Sequence, residues 1–139
     1  MDGFLFSTAL AGGESAEIYK LRREGVPVVC LMRETGDPRD SVVSDNLEGG
    51  YLAAKYLLDR GFREIAVVCG RQNLALYGQR LAGYKKALAE YGVPFNPSIC
   101  LEGVKDGREN GSECILSYYK KYNRIPEAIF ASSDPLAFD

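Results

Sequence analysis

The stretch SDNLEGGYLAAKYLLDRGFREIAVVCG, residues 44–70, joins a helix pattern directly to a strand pattern. The first half places four residues on one helical face: Leu47, Tyr51, Ala54 and Leu58. The run IAVVC (Ile65–Cys69) is continuously apolar, which is typical of a strand buried on both faces of a sheet. The stretch therefore predicts a helix that feeds a buried parallel strand, the repeating unit of an α/β fold.

The same alternation extends through the rest of the chain. Further apolar runs predict strands at Gly3–Thr8, Val26–Met32, Ile99–Leu101 and Ala128–Ala131. Helices are predicted from about residue 15 to 24, on a face carrying Leu81, Tyr84, Leu88 and Tyr91, and on a face carrying Gly111, Ile115, Tyr118 and Tyr122. Gly25, Gly61 and Gly92 stand where these helices would end in a left-handed cap. Parallel, doubly wound sheets are expected.

The composition narrows the class of function. The 139 residues include no histidine, so the His-based acid–base groups of Ser and Cys hydrolases are excluded, and an enzyme is disfavoured. The net charge of -2 is dispersed without a basic block, so this segment is not expected to hold DNA. The start of the chain lacks a secretory signal and no stretch is long enough to cross a membrane, which predicts a cytoplasmic protein. The four cysteines have no metal-binding spacing and are expected to be reduced, buried thiols, with no metal or cofactor.

Several blocks in this order resemble the LacI/PurR family: DGFLFS, VPVV, residues 44–70, RLAGYKKALAEYG and AIFASSDPLAF. The resemblance implies a type I periplasmic-binding-protein-like fold with two doubly wound lobes that close on a ligand. It also implies that the helix-turn-helix of the family is absent from this chain and that each lobe is incomplete.

The boundary between the two partial lobes is expected at the turn Arg60–Arg63, which gives residues 1–62 and 63–139. A sheet that lacks its neighbours exposes unpaired edges, so a homo-oligomer is expected.

Two residues lie where open parallel sheets bind ligands, beyond the carboxyl ends of strands. Asp134 follows the last predicted strand and precedes Pro135, so it is suited to an N-cap role, to a ligand hydroxyl, or to both. Arg80 is expected in or near the first turn of a helix, where the helix dipole disfavours a cation and a ligand or an acidic residue would compensate. The resemblance matches Arg80 to the ligand-binding arginine of the family motif R-x-x-G-Y.

Four further residues are candidate ligand contacts. Asp45 begins a capping box with Glu48 and can position a neighbour of the ligand. Asn73 and Tyr77 lie in a loop expected to border the ligand cleft, and Lys105 follows a predicted strand. Lys105 stands where some members of the family place a stacking aromatic, which argues against a purine effector.

The leading hypothesis is the segment of a LacI-type transcription regulator that senses a small polar effector, such as a sugar or nucleoside. Effector binding would then change the DNA affinity of the complete protein. A transport-type solute-binding protein of the same fold is the alternative. A small flavodoxin-like enzyme is a third hypothesis, although no phosphate-binding glycine motif occurs in the chain.

Overall fold

The computed structural model describes residues 2–7, 16–32, 40–71, 74–105 and 108–138, with the side chain of Lys105 excepted. The described chain forms two compact units, Met1–Asp45 and Asn46–Asp139. Helix α2 therefore belongs to the second unit, whereas the sequence placed it in the first lobe. The division of the complete domain into lobes at residues 62 and 63 stays a prediction.

The first unit is a three-stranded parallel sheet in the order β1-β2-β3, with one helix between β1 and β2. The elements are β1 (Phe4–Phe6), α1 (Ala16–Arg23), β2 (Val28–Leu31) and β3 (Ser41–Val42). Both long apolar runs of this region form parallel strands, as predicted, although each strand is shorter than its run. Gly25 has a φ of +80°, which confirms the predicted left-handed end of α1.

The second unit has a parallel sheet in the order β5-β4-β8. Its elements are α2 (Asn46–Asp59), β4 (Ile65–Cys69), α3 (Ala75–Glu90), β5 (Cys100–Glu102), β6 (Val104–Lys105), β7 (Arg108–Glu109), α4 (Gly111–Tyr122), β8 (Ala128–Ala131) and α5 (Asp134–Phe138), with a 3₁₀ turn at Pro97–Ile99. The strands β6 and β7 form an antiparallel hairpin, which the sequence did not predict.

The central strand β4 is buried at all five positions, and its two faces pack on different clusters. Ile65, Val67 and Cys69 face a core shared with α2 and α3, and Ala66 packs with Tyr118 of α4. Helices therefore cover both faces of this sheet, as expected of a doubly wound fold. This is the physical reason for the continuous apolar run at residues 65–69.

The helices α2 and α3 approach each other closely through glycines. A Cβ added to Gly50 would lie 2.1 Å from the carbonyl oxygen of Arg80, and one added to Gly83 would lie 2.0 Å from that of Leu47. The buried face of α2 therefore includes Gly50 with Ala54 and Leu58, while Leu47 is 42% exposed. Leu47 was predicted on the same helical face as Ala54 and Leu58 but is not buried with them, because the close packing selects the smallest residues for the interface. On α4, Tyr122 was predicted on one face with Tyr118 and is 38% exposed, whereas Tyr118 is buried.

Candidate functional site

Hydrogen bonds connect the carboxyl ends of β4 and β8, at the edge of the sheet where the candidate site lies. The backbone N–H of Ser132 donates a 2.9 Å hydrogen bond to the carbonyl of Val68. The hydroxyl of Ser132 accepts a 3.0 Å bond from the N–H of Gly70, and Ser132 is only 4% exposed. These bonds hold the backbone after both strands in one place, at the edge of the sheet where α/β proteins bind ligands.

The side chain of Arg80 extends from α3 to this edge of the sheet. Its Nε donates a 2.9 Å bond to Oδ1 of Asn46, the buried first residue of α2, and its Nη1 donates to the carbonyl oxygen of Ser132. Nη2 has no hydrogen-bond partner within the part of the chain that the structure describes. The side chain is half-buried. Arg80 therefore ties two elements to the strand ends and keeps donor capacity for a third group.

Arg80 lies near the first turn of its helix, as predicted. Because α3 begins at Ala75, Arg80 is in the second turn of the helix. The effect of the helix dipole fades beyond the first turn, so the expected penalty is small here. The compensating groups are the Asn46 amide and the Ser132 carbonyl, neither of which the sequence suggested.

Tyr77 lies beside Arg80, as the third residue of α3 and not in a loop as predicted. The Arg80 guanidinium carbon is 6.0 Å from the centroid of the Tyr77 ring. The ring packs on the backbone of Gly70, where an added Cβ would meet a ring carbon at 2.3 Å. Burial raises the pKa of Tyr77, and the hydrogen bond that its hydroxyl donates to Glu109 raises it further, so the phenol stays protonated as a donor.

Glu109, the last residue of β7, connects two other parts of this site. Its Oε1 accepts a 2.5 Å bond from the Tyr77 hydroxyl, and its Oε2 accepts a 3.1 Å bond from the Ser133 hydroxyl. Four residues of the site were not predicted from the sequence: Asn46, Glu109, Ser132 and Ser133. Asn46 and the Ser132–Ser133 pair lie in blocks that resemble the LacI/PurR family, so the sequence could have indicated them. Nothing in the sequence distinguishes Glu109.

Asp134 is the first residue of α5, and Ser133 directly precedes the helix. The N-cap role of Asp134 stays a prediction. The carboxylate of Asp134 is exposed and lies in the first turn, where a negative charge is favourable. Asp134 is thus next to the Arg80 cluster along the chain, and its contact with a ligand stays a prediction.

The other three predicted contacts, Asp45, Asn73 and Lys105, stay predictions. Asp45 is an exposed residue of the first unit, directly before α2, and its capping role with Glu48 stays a prediction. Asn73 lies outside the described residues. The backbone of Lys105 is in β6, opposite Arg108, and its side chain lies outside the described part of the chain.

A separate depression of about 310 Å³ opens beside β5 and α4, away from Arg80. Its lining includes Asn110 and Glu113, which bond to each other at the start of α4: Asn110 Oδ1 accepts from the Glu113 N–H, and Asn110 Nδ2 donates to the Glu113 carboxylate. These polar groups are used by the helix cap. The donor and acceptor groups available to a ligand are therefore at Arg80 and not in this depression.

The described residues contain no group of three or more Cys, Asp or Glu residues arranged to hold a metal ion. Within the described residues, none of the four cysteines, Cys30, Cys69, Cys100 and Cys114, takes part in a disulfide bond. Cys30 and Cys69 are buried as expected, but Cys100 and Cys114 are partly exposed. No helix in the described ranges has the length and apolar character needed to cross a bilayer.

Comparison with known proteins identifies one family along the whole chain. The family model described as periplasmic binding proteins and sugar binding domain of LacI family matches residues 1–139. The HTH-type transcriptional regulator DegA of Bacillus subtilis is 30% identical over 142 residues, and the HTH-type transcriptional repressor PurR of Pasteurella multocida is 34% identical over 138 residues. Each alignment covers 99% of this chain and 40% of the relative.

Solved structures show the same fold. A sugar-binding transcriptional regulator of the LacI family from Escherichia coli, in complex with phosphate, superposes with a TM-score of 0.77 at 24% identity, covering 99% of this chain and 49% of that one. The complex of the transcriptional regulator CelR with cellobiose superposes with a TM-score of 0.73 at 28% identity, covering 97% and 41%. The chain thus spans less than half of the relatives it matches.

Proposed function

Since the chain belongs to the family of periplasmic binding proteins and LacI sugar-binding domains, we propose that it is the effector-sensing segment of a LacI-type transcription regulator. It binds a small polar effector, such as a sugar or nucleoside, and binding changes the affinity of the complete protein for DNA. Such a change requires that the effector bind two conformations of the protein with different affinity.

The observation that carries this proposal is the arrangement of Arg80. A guanidinium held by Asn46 and the Ser132 carbonyl, with Nη2 left over, is oriented before any ligand arrives. Preorganised donors bind more tightly because less side-chain freedom is lost on binding. Nη2 donates to a ligand hydroxyl or carbonyl, and the exposed carboxylate of Asp134 accepts from a second hydroxyl.

The comparisons support a regulator over a transport protein. DegA and PurR are named as transcriptional regulators and CelR as a transcriptional regulator bound to cellobiose. Regulators of this kind are not enzymes, and we propose that this segment catalyses nothing. We also propose that the regulator acts in the cytoplasm as a homo-oligomer. It would contact DNA through a part of the protein other than these 139 residues, since they carry a net charge of -2 without a basic block.

The test uses the complete gene product, titrated calorimetrically with a panel of sugars, nucleosides and sugar phosphates. DNA from its own promoter region is then bound with and without each positive compound. We expect one compound to bind and to shift the DNA affinity. If no compound bound and DNA affinity never responded, the proposal would be wrong.

Arg80→Ala supplies the residue-level test. A hydrogen bond from a charged donor contributes about 1.5–3 kcal/mol, so we expect effector affinity to fall at least about tenfold. The matched control is Arg60→Ala, because Arg60 also lies over a tyrosine, with its guanidinium carbon 3.4 Å from the Tyr56 ring centroid. Arg60 is exposed, and within the described chain its side chain hydrogen-bonds only to the Tyr56 carbonyl, at 3.3 Å. Equal affinity in wild type and Arg80→Ala would remove Arg80 from the site.

A further inference from the structure

Glu109 is an acidic residue that bonds to both α3 and the turn after β8. Its two carboxylate oxygens accept from Tyr77 and Ser133, which lie 32 and 24 positions away in the chain. Ser133 is adjacent to Ser132, whose carbonyl holds Arg80, and Tyr77 lies beside the Arg80 guanidinium. The carboxylate and the guanidinium therefore flank the same ring.

We propose that Glu109 is a positioning and specificity-determining residue of this site, which holds Tyr77 and the β8–α5 turn around Arg80 and disfavours anionic effectors. This inference rests on the proposed function, because it concerns the ligand of the same site. It assigns the effector to the class of uncharged, hydroxyl-bearing compounds, and excludes phosphorylated ones.

The positioning role follows from the weakness of the hairpin that carries Glu109. The strands β6 and β7 have two residues each, and a two-stranded hairpin of this size has little stability of its own. The two side-chain bonds of Glu109 anchor it to α3 and to the β8–α5 turn. In return, the same bonds fix the Tyr77 ring against Gly70 and the Ser133 side chain at the start of α5.

The specificity role follows from the donors and charges that remain for a ligand. Two donors of Arg80 are already used by Asn46 and Ser132, so the side of the guanidinium that carries Nε cannot grip an anion with two parallel bonds. The carboxylate of Glu109, with that of Asp134 two residues beyond Ser132, adds negative charge on the same side of the sheet. A like charge near a ligand anion is a repulsive element of the kind that sets specificity.

The first test measures the preference for neutral ligands in the complete gene product. The probes are matched pairs: glucose with glucose 1-phosphate, fructose with fructose 1-phosphate, and ribose with ribose 5-phosphate. We expect wild type to bind a neutral sugar more tightly than its phosphate. Glu109→Gln keeps the shape and removes the charge. It should reduce the ratio of the dissociation constant of the phosphate to that of the neutral sugar by about tenfold, which corresponds to about 1.4 kcal/mol.

The matched control is Glu90→Gln. Glu90 also accepts a bond from a tyrosine, Tyr51, at 2.8 Å, but on an exposed surface at the far end of α3. The ratio of dissociation constants measured for Glu90→Gln should equal that of wild type. If wild type bound a sugar and Glu109→Gln left the ratio unchanged, or if wild type preferred the phosphate, this inference would fail while the proposed function stood. If wild type bound no member of any pair and no compound of the wider panel, the proposed function would fail with it.

The second test measures positioning without a ligand. Hydrogen–deuterium exchange is followed in peptides from Leu74–Arg80 and Ala131–Phe138 of the gene product. Glu109→Ala should speed exchange in both peptides, Glu109→Gln should speed it less because the amide oxygen still accepts one bond, and Glu90→Ala should leave both unchanged. Unchanged exchange in Glu109→Ala would overturn the positioning role whatever the ligand results.

Discussion

The hydroxyl of Tyr84 donates a 2.7 Å hydrogen bond to the carbonyl oxygen of Ile65, and both residues are fully buried. The ring itself packs against Phe95 edge-on and against Phe130 in a stacked orientation, with centroids 6.3 and 6.2 Å apart. Tyr84 thereby joins α3 to the first residue of the central strand β4. The residue satisfies both requirements of a buried tyrosine, an apolar contact for the ring and a partner for the hydroxyl.

Tyr84→Phe keeps the ring and removes this bond, which leaves the Ile65 carbonyl with one partner fewer. We expect the free energy of unfolding to fall by about 1 kcal/mol. The change is also expected to reduce alkaline sensitivity. Burial raises the pKa of Tyr84 well above its usual range, and nearby Cys100 and Cys69 raise it further. The unfolded chain therefore ionises first, so the stabilisation is complete below about pH 10 and decreases as the pH rises above it.

The measurement is the apparent Tm of the gene product between pH 7 and 11, compared with Tyr84→Phe. Tyr122→Phe is the control, since Tyr122 is 38% exposed, whereas Tyr84 is fully buried. Wild type should lose Tm above about pH 10 more steeply than Tyr84→Phe does. Parallel curves for the two proteins would contradict this expectation.

Gly83→Ala should separate α2 from α3. The new Cβ would lie 2.0 Å from the Leu47 carbonyl oxygen and 2.6 Å from the Tyr51 nitrogen, and backbone atoms cannot rotate away as side chains do. Overpacking of this kind costs about 1–3 kcal/mol, and a drop in apparent Tm with faster deuterium exchange in α2 would show it.

Gly49→Ala is the matched control, because it lies in α2 with nothing within 4 Å of its added Cβ. Alanine favours a helix over glycine by about 0.5–1 kcal/mol, so this variant should be slightly more stable than wild type. Two variants that shift Tm in the same direction would argue against the close approach of the helices.

Cys100 should be the first thiol of the Cys69–Cys100 pair to react. Their sulfur atoms are 3.8 Å apart, and the bond from Cys69 lowers the pKa of Cys100 while Cys69 stays buried and protonated. A lower pKa means more thiolate at a given pH, and the thiolate is the reactive form. Mass spectrometry after iodoacetamide treatment near neutral pH should find Cys100 modified before Cys69 and the buried Cys30. Cys69→Ala should slow the reaction at Cys100, and a rate unaffected by that change would contradict the role of the bond.

Much of the fold was predictable because it depends on local patterns. The runs at Ile65–Cys69 and Ala128–Ala131 became strands with the predicted bounds. Gly25, Gly61 and Gly92 all have positive φ, as predicted from their places after the helices. By contrast, β3 and the β6–β7 hairpin have two-residue strands, which are too short for any periodic signal.

The candidate site was predictable only in part. Arg80 was identified through the motif R-x-x-G-Y, but its partners Asn46 and Ser132 lie 34 and 52 positions away. The sequence did not indicate a role for Glu109, because an isolated glutamate in a polar stretch is typical of a solvated surface. Its role became visible only when Tyr77 and Ser133 were found on its two oxygens.

By itself, the sequence determined the alternation of strands and helices, the parallel sheets and the family, since each depends on apolar periodicity, glycine positions and motif order along the chain. Only the tertiary structure decided which side chains meet at the strand ends and which faces of α2 and α3 are buried. Those choices depend on contacts between residues far apart in the chain. At the α2–α3 interface, the distance of approach made Gly50 and Gly83 the buried residues and left Leu47 exposed.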